Sequence, residues 1–125
     1  MSGTLEHVNF TVSDNDATAA WMCDVFGWKI RWAGKARDGR TVHVGTDDAY
    51  LALSTPSSAE KREGPAPGGM GRMNHVGVEV ADLDATESRV RAHGFDTFNH
   101  ADYEPGRRFY FNDGDGIEFE IISYT

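Results

Sequence analysis

Cysteine is nearly missing from this chain: Cys23 is the only one, so no internal disulfide can form, and a reduced cytoplasmic setting is expected. Long apolar runs are missing too. None approaches the roughly 20 residues that span a bilayer, so no membrane partner is expected. The N-terminal Met1-Ser2-Gly3-Thr4 lacks a basic segment followed by an apolar one, so no signal peptide is expected. Positive charge is scarce. Twelve Lys and Arg face twenty Asp and Glu, for a net charge of −8. That field repels polyanions, which excludes nucleic acid and anionic membrane surfaces as expected partners. Small anionic substrates stay open, because a bound cation can dominate the local potential. What remains, 39% hydrophobic and 26% charged over 125 residues, suits a soluble enzyme or small-ligand binder of one domain's size.

The sequence repeats itself. Leu5-Glu-His-Val-Asn-Phe-Thr-Val-Ser-Asp14 lies without a gap on Met73-Asn-His-Val-Gly-Val-Glu-Val-Ala-Asp82, an offset of 68 residues. The same offset sets Asp16-Ala-Thr18 on Asp84-Ala-Thr86. Gly27-Trp28 falls one residue out of step with Gly94-Phe95, and the offset of 68 is expected again for 40–53 against 108–121. The expected organisation is a single domain, 1–125, with module one at 1–55, a linker at 56–71 and module two at 72–125. The linker is rich in Pro, Gly and Ser and reads as exposed connector.

Each module opens with a strand: Val8, Phe10 and Val12 alternate with His7, Asn9 and Thr11, and Val76, Val78 and Val80 with His75, Gly77 and Glu79. A helix follows. In the first, Asn15 or Asp16 is the expected cap, Trp21, Met22, Val25 and Phe26 the apolar stripe, and Gly27 the stop. In the second, Asp84 and Glu87 resemble a capping box and Gly94 closes the helix. Further strands are expected around 28–33, 40–45, 49–54, 96–100, 107–112 and 117–123. The fold class is therefore α+β, two tandem β-α-β-β-β modules forming a curved mixed sheet around a central cavity.

The repeat carries a chemical expectation. His7 and His75 are equivalent and lie on the polar faces of the first strands. In Ile117-Glu-Phe-Glu-Ile121, Glu120 points to the polar side, while its partner in module one is Ala52. Two imidazoles and a carboxylate suit one divalent metal ion, Mn, Fe, Ni, Zn or Co, and leave positions open for water and substrate. His7, His75 and Glu120 are the expected metal ligands.

Leu5-Glu-His-Val, the helix ending Phe26-Gly-Trp28, Tyr50-Leu-Ala-Leu53, Asn74-His-Val-Gly-Val78 and Phe109-Tyr-Phe-Asn-Asp-Gly-Asp-Gly-Ile-Glu-Phe-Glu120 together resemble the vicinal-oxygen-chelate superfamily, the glyoxalase/bleomycin resistance protein/extradiol dioxygenase group. The resemblance covers nearly the whole chain. It implies paired modules around a metal, often in a homodimer, and the same three ligands. Ala52 departs from glyoxalase I, whose second glutamate stands there as ligand and base. Metal-dependent fosfomycin-resistance thiol transferases are similar in having two His, one Glu and a tyrosine at the position of Tyr110. Extradiol dioxygenases share the triad and are usually longer. The implied function is a divalent-metal-dependent enzyme acting on a small oxygen-rich substrate, by lyase, isomerase, thiol transferase or dioxygenase chemistry. The alternative is a non-catalytic binding protein of the bleomycin-resistance type.

Other candidates follow from the face pattern. Tyr110 shares a face with Arg108 and Asn112 and can serve as hydrogen-bond donor or general acid, with aromatic lining as its plainer role. Glu79 is a candidate base or partner to a histidine, against a solvated strand end. Asn9, Tyr50, Arg107 and Arg108 are the substrate-binding candidates, the arginines as clamps for an anionic group. The stretch 99–108 reads as a loop over the cavity. His43, aligned with Phe111, is off the polar pattern and is taken as structural, as are His93 and the packing residue Cys23. Gly114-Asp-Gly116 is a tight turn.

Overall fold

The computed structural model describes residues 1–58 and 64–125; positions 59–63 of the expected linker lie outside the described residues. The chain divides into two compact units, Met1–Arg62 and Glu63–Thr125. Each is built as β-α-β-β-β. Unit 1 holds β1 (His7–Thr11), α1 (Asn15–Phe26), β2 (Lys29–Lys35), β3 (Arg40–Gly45) and β4 (Tyr50–Thr55). Unit 2 holds β5 (Val76–Glu79), α2 (Leu83–Ala92), β6 (Thr97–Tyr103), β7 (Gly106–Asn112) and β8 (Glu118–Ser123). Their sheets are ordered β1-β4-β3-β2 and β5-β8-β7-β6, with the first pair parallel and the others antiparallel in each. The α+β class and the paired modules stand as expected.

Alternation sorts the sheets into two faces. In unit 1, Val42, Val44, Leu51 and Leu53 turn toward α1 and meet Met22 and Val25; all are buried. In unit 2, Phe109, Phe111, Phe119 and Ile121 form the corresponding core with Val90 of α2. Phe111 stacks on Phe119 with centroids 5.1 Å apart.

The helix starts differ from expectation. Asp14, not Asn15 or Asp16, caps α1, its carboxylate accepting from Ala17 N at 3.1 Å. Asn15 is freed for a buried role and donates to the carbonyls of Arg40 and Leu53 at 2.8 and 3.0 Å. Asp82 caps α2 in the same way, accepting from Ala85 N at 3.0 Å, so Asp84 and Glu87 form no capping box. Gly27 ends α1 at φ 70°, a left-handed conformation that costs glycine little. The residues released from capping clip each helix to its sheet: Arg40 pairs with Asp16 at 3.1 Å, and Arg107 with Asp84 at 3.0 Å.

Two further expectations are corrected. The stretch 99–108 is not a loop, since β6 and β7 pair through it from Thr97↔Phe111 to Tyr103↔Gly106. The offset over the third strand of each unit is 67, not 68. His43 stands opposite Ala52, as Tyr110 stands opposite Glu120. The offset has slipped to 67 by Gly27 and Gly94, and one extra residue in the β7–β8 turn, where Asp113 Oδ1 accepts from Asp115 N and Ile117 N, both at 2.9 Å, restores 68 for the last strand. His43 is therefore the counterpart of Tyr110 and lies on the polar face.

Candidate functional site

Unit 2 assembles a charged group on the sheet face opposite its core. Parallel pairing of β5 with β8 sets Gly77 against Glu120 and brings His75, just before β5, beside the glutamates of β8. His75 Nε2 lies 3.0 Å from Glu120 Oε1, and its Nδ1 lies 2.8 Å from Asn74 Oδ1 and 3.9 Å from Glu118 Oε2. Glu120 is largely buried, its side chain 15% exposed, and Arg108 Nη1 donates to its Oε2 at 2.9 Å. Arg108 is 13% exposed and lies 5.0 Å from the Tyr103 ring. Tyr110 faces Glu120 across the β7–β8 pair and sits edge-on to His75, centroids 5.8 Å apart. Burial pushes the Tyr110 hydroxyl above its ordinary pKa, and the charge of Glu120 adds to this.

This arrangement has an electronic consequence. When Nδ1–H of His75 donates to Asn74, Nε2 presents a lone pair to a carboxylate oxygen. Two acceptors at 3.0 Å repel unless a proton or cation sits between them. Two ligands with bonds of about 2.1 Å, set at a right angle, are themselves roughly 3.0 Å apart. His75 and Glu120 thus fit neighbouring positions on a divalent ion, with Asn74 and Arg108 orienting each from behind. Within each unit, no three His, Cys, Asp or Glu side chains among the described residues gather as ion ligands.

The remaining candidates of unit 2 stand apart from this group. Glu79 is exposed at the end of β5, paired in register with Ile122, and no described contact joins it to His75 or Glu120. The Arg107 guanidinium is bound to Asp84, which raises its pKa further. Arg108 approaches the site through Glu120.

Unit 1 carries His7, Asn9 and Tyr50 on one face, since His7 pairs in register with Tyr50 and Asn9 with Ala52. Glu6 binds His7 Nδ1. Asn9 Oδ1 accepts from Ser54 Oγ at 2.9 Å. His7 stacks on Tyr50 at 5.0 Å, and Tyr50 stacks on His43 at 4.5 Å. The pKa of His43 is lowered, chiefly by burial and then by the neighbouring charges of His7 and Arg31. Sequence reasoning missed His43 by carrying the offset of 68 through β3. Gly27 and Gly94, at an offset of 67, already held the signal.

Comparison with known proteins agrees with this architecture. The family model of the Glyoxalase/Bleomycin resistance protein/Dioxygenase superfamily matches residues 4–121. A glyoxylase/bleomycin resistance protein/dioxygenase domain from Frankia sp. EAN1pec superposes with a TM-score of 0.76 at 20% identity, covering 98% of each chain. The fosfomycin resistance protein FosX of Listeria monocytogenes, solved with Mn(II) and sulfate, gives 0.74 at 19% identity over 100% of this chain and 93% of that one. TnmS3, an antibiotic binding protein from Streptomyces sp. CB03234, gives 0.74 at 17% identity over 99% and 98%. None of the curated proteins matches the sequence.

Proposed function

We propose, for a chain that belongs to the glyoxalase/bleomycin resistance protein/dioxygenase superfamily, the role of a divalent-metal-dependent enzyme acting on a small oxygen-rich substrate. The observation that carries this is the approach of His75 Nε2 to Glu120 Oε1 at 3.0 Å, with the other imidazole nitrogen committed to Asn74. His7 is the third ligand in this reading, by its sequence equivalence to His75. FosX, a protein of the same fold, was solved with Mn(II), which supports an ion of that kind. A homodimer in the cytoplasm, with 1–125 acting as a single functional domain, belongs to the same proposal.

When bound, a divalent ion supplies Lewis acidity toward substrate oxygens. The chain's own residues do the rest. Arg108 fixes Oε2 of Glu120 and turns Oε1 toward His75. Tyr110, kept protonated by burial, presents a hydroxyl that donates to an oxygen where negative charge develops. Ala52, opposite His43, offers no second carboxylate, so unit 1 supplies no base at the position where unit 2 has its acid. The reaction that fits is one in which a substrate oxygen gains charge without a strong protein base.

The test is metal content after purification without an affinity tag. Near-stoichiometric Mn, Fe, Ni, Zn or Co is expected, and its loss in the His75→Ala, Glu120→Ala double variant. Equal retention by that variant refutes the site. A second reading, a binding protein without turnover, is favoured by one observation: Arg108 pairs with Glu120, so the charge of that carboxylate is balanced without an ion. Tight ligand binding by metal-free protein, with no product formed, distinguishes that reading.

A further inference from the structure

The polar face of unit 1 differs in kind from that of unit 2. Where unit 2 places Tyr110 opposite Glu120, unit 1 places His43 opposite Ala52, and Trp32 pairs in register with His43. Four rings follow one another across the strands: His7 to Tyr50 at 5.0 Å, Tyr50 to His43 at 4.5 Å, and His43 to Trp32 at 5.1 Å. The Arg31 guanidinium lies 4.5 Å from the Tyr50 centroid and donates to the Thr46 carbonyl at 3.1 Å. Two acids act on Arg31 from nearby: Glu6, engaged by His7 and Tyr50, and Asp47, bound by Lys29.

Trp32 is the open end of this row. A Cβ at Gly34 would come within 2.7 Å of Trp32 Cζ2 and 3.0 Å of Cη2. The indole therefore lies against the bare backbone of Gly34, which any side chain would displace. Its residue is 50% exposed, a large apolar surface that the protein leaves in water although it fixes the ring's position from one side. A flat, immobilised ring with an open side, next to further rings and a guanidinium, has the makings of a stacking platform.

We propose that Trp32, seated on Gly34 and continued by His43 and Tyr50, binds a planar aromatic or heteroaromatic ring, and that Arg31 receives a carboxylate or phenolate carried by it. This deepens the enzymatic reading by naming the class of substrate, an aromatic acid. It does not need the metal to be tested. His43 and Trp32 are then specificity-determining residues, while Gly34 is a positioning residue acting through Trp32.

The experiment uses the full chain after chelator treatment, so that its failure is separate from a failure of the metal site. The probes are 2-naphthoate, its saturated decahydro counterpart of the same charge, and neutral 2-naphthylmethanol, titrated by calorimetry and tryptophan fluorescence. Naphthoate is expected to bind at least tenfold more tightly than the saturated acid. Trp32→Ala and Gly34→Ala each weaken naphthoate about tenfold, as loss of one stacked ring does, and leave the saturated acid unchanged. Arg31→Gln weakens naphthoate but not naphthylmethanol. Circular dichroism establishes that each variant is folded, and Trp32→Phe, which keeps a flat ring, retains most of the affinity. Equal affinity for the flat and saturated acids, no binding of either, or an unchanged naphthoate affinity in folded Trp32→Ala overturns the proposal.

Discussion

Replacing Arg108 with methionine keeps much of the side chain's length and apolar bulk and removes its charge. In the folded chain this arginine meets Glu120 at 2.9 Å, with the two side chains 13% and 15% exposed. At that separation the attraction is about 6 kcal/mol for an effective dielectric constant near 20. Removal from water costs several kcal/mol per ion, so the intact pair contributes little net stability. Breaking it is another matter, because Glu120 keeps its desolvation cost and loses its main partner. Fully buried cases lose about 3–5 kcal/mol. Here the Glu120 side chain is 15% exposed and some water reaches the carboxylate, so a loss of about 2 kcal/mol is expected. That corresponds to a Tm lower by roughly 8 °C for a chain of this size. Urea unfolding of chelator-treated protein should be followed by far-UV circular dichroism, since Trp21, Trp28 and Trp32 all belong to unit 1. The companion variant Glu120→Gln should recover part of the loss, with a coupling of at least about 1 kcal/mol in the double-mutant cycle. A folded Arg108→Met protein within about 0.5 kcal/mol of the parent, or strictly additive losses, would refute the reasoning.

Three other outcomes are expected. Asp14→Ala removes the acceptor for Ala17 N and should lower stability by about 1 kcal/mol in urea titrations, whereas Asp16→Ala, which breaks an exposed pair, should cost less. Burial raises the Asp113 pKa above 3.8, which means that the folded state prefers its neutral form. Its stabilising share is complete below the unfolded pKa and is lost as pH rises through the raised folded value. Asp113→Asn should therefore remove a fall of Tm that the parent shows as pH rises from roughly 4, and an unchanged profile counts against the assignment. Burial likewise raises the Cys23 thiol, so alkylation by iodoacetamide at pH 7 should be slower than that of an unfolded control, by mass spectrometry.

Much of this molecule is legible in its sequence because apolar alternation and a repeated His-Val pair report on backbone period and equivalence directly. The strand of His75 and that of Glu120 show their faces without knowledge of tertiary structure. Capping was misread for a local reason: several acids crowd the helix start, and only the backbone shows that Asp14 and Asp82 are the ones with extended φ and ψ. His43 was misread for a longer-range one. A single residue added in the turn at Asp113–Ile117 restores an offset that had slipped between Gly27 and Gly94, and the ends of the alignment conceal the slip. Arg108 was legible as a charged residue near the site, but its engagement with Glu120 depends on cross-strand placement that sequence spacing does not reveal.

The paired aspartate–arginine clips, Asp16 with Arg40 and Asp84 with Arg107, tie the start of each helix to the third strand of its own unit. Such duplicated fasteners separate architecture from chemistry. One copy carries alanine and histidine where the other carries its acid and its tyrosine, on the same pattern of paired strands. Innovation in this scaffold thus needs only the outward-looking side chains of a strand, and a designer seeking a new ligand can vary unit 1 on that side without reopening the interior.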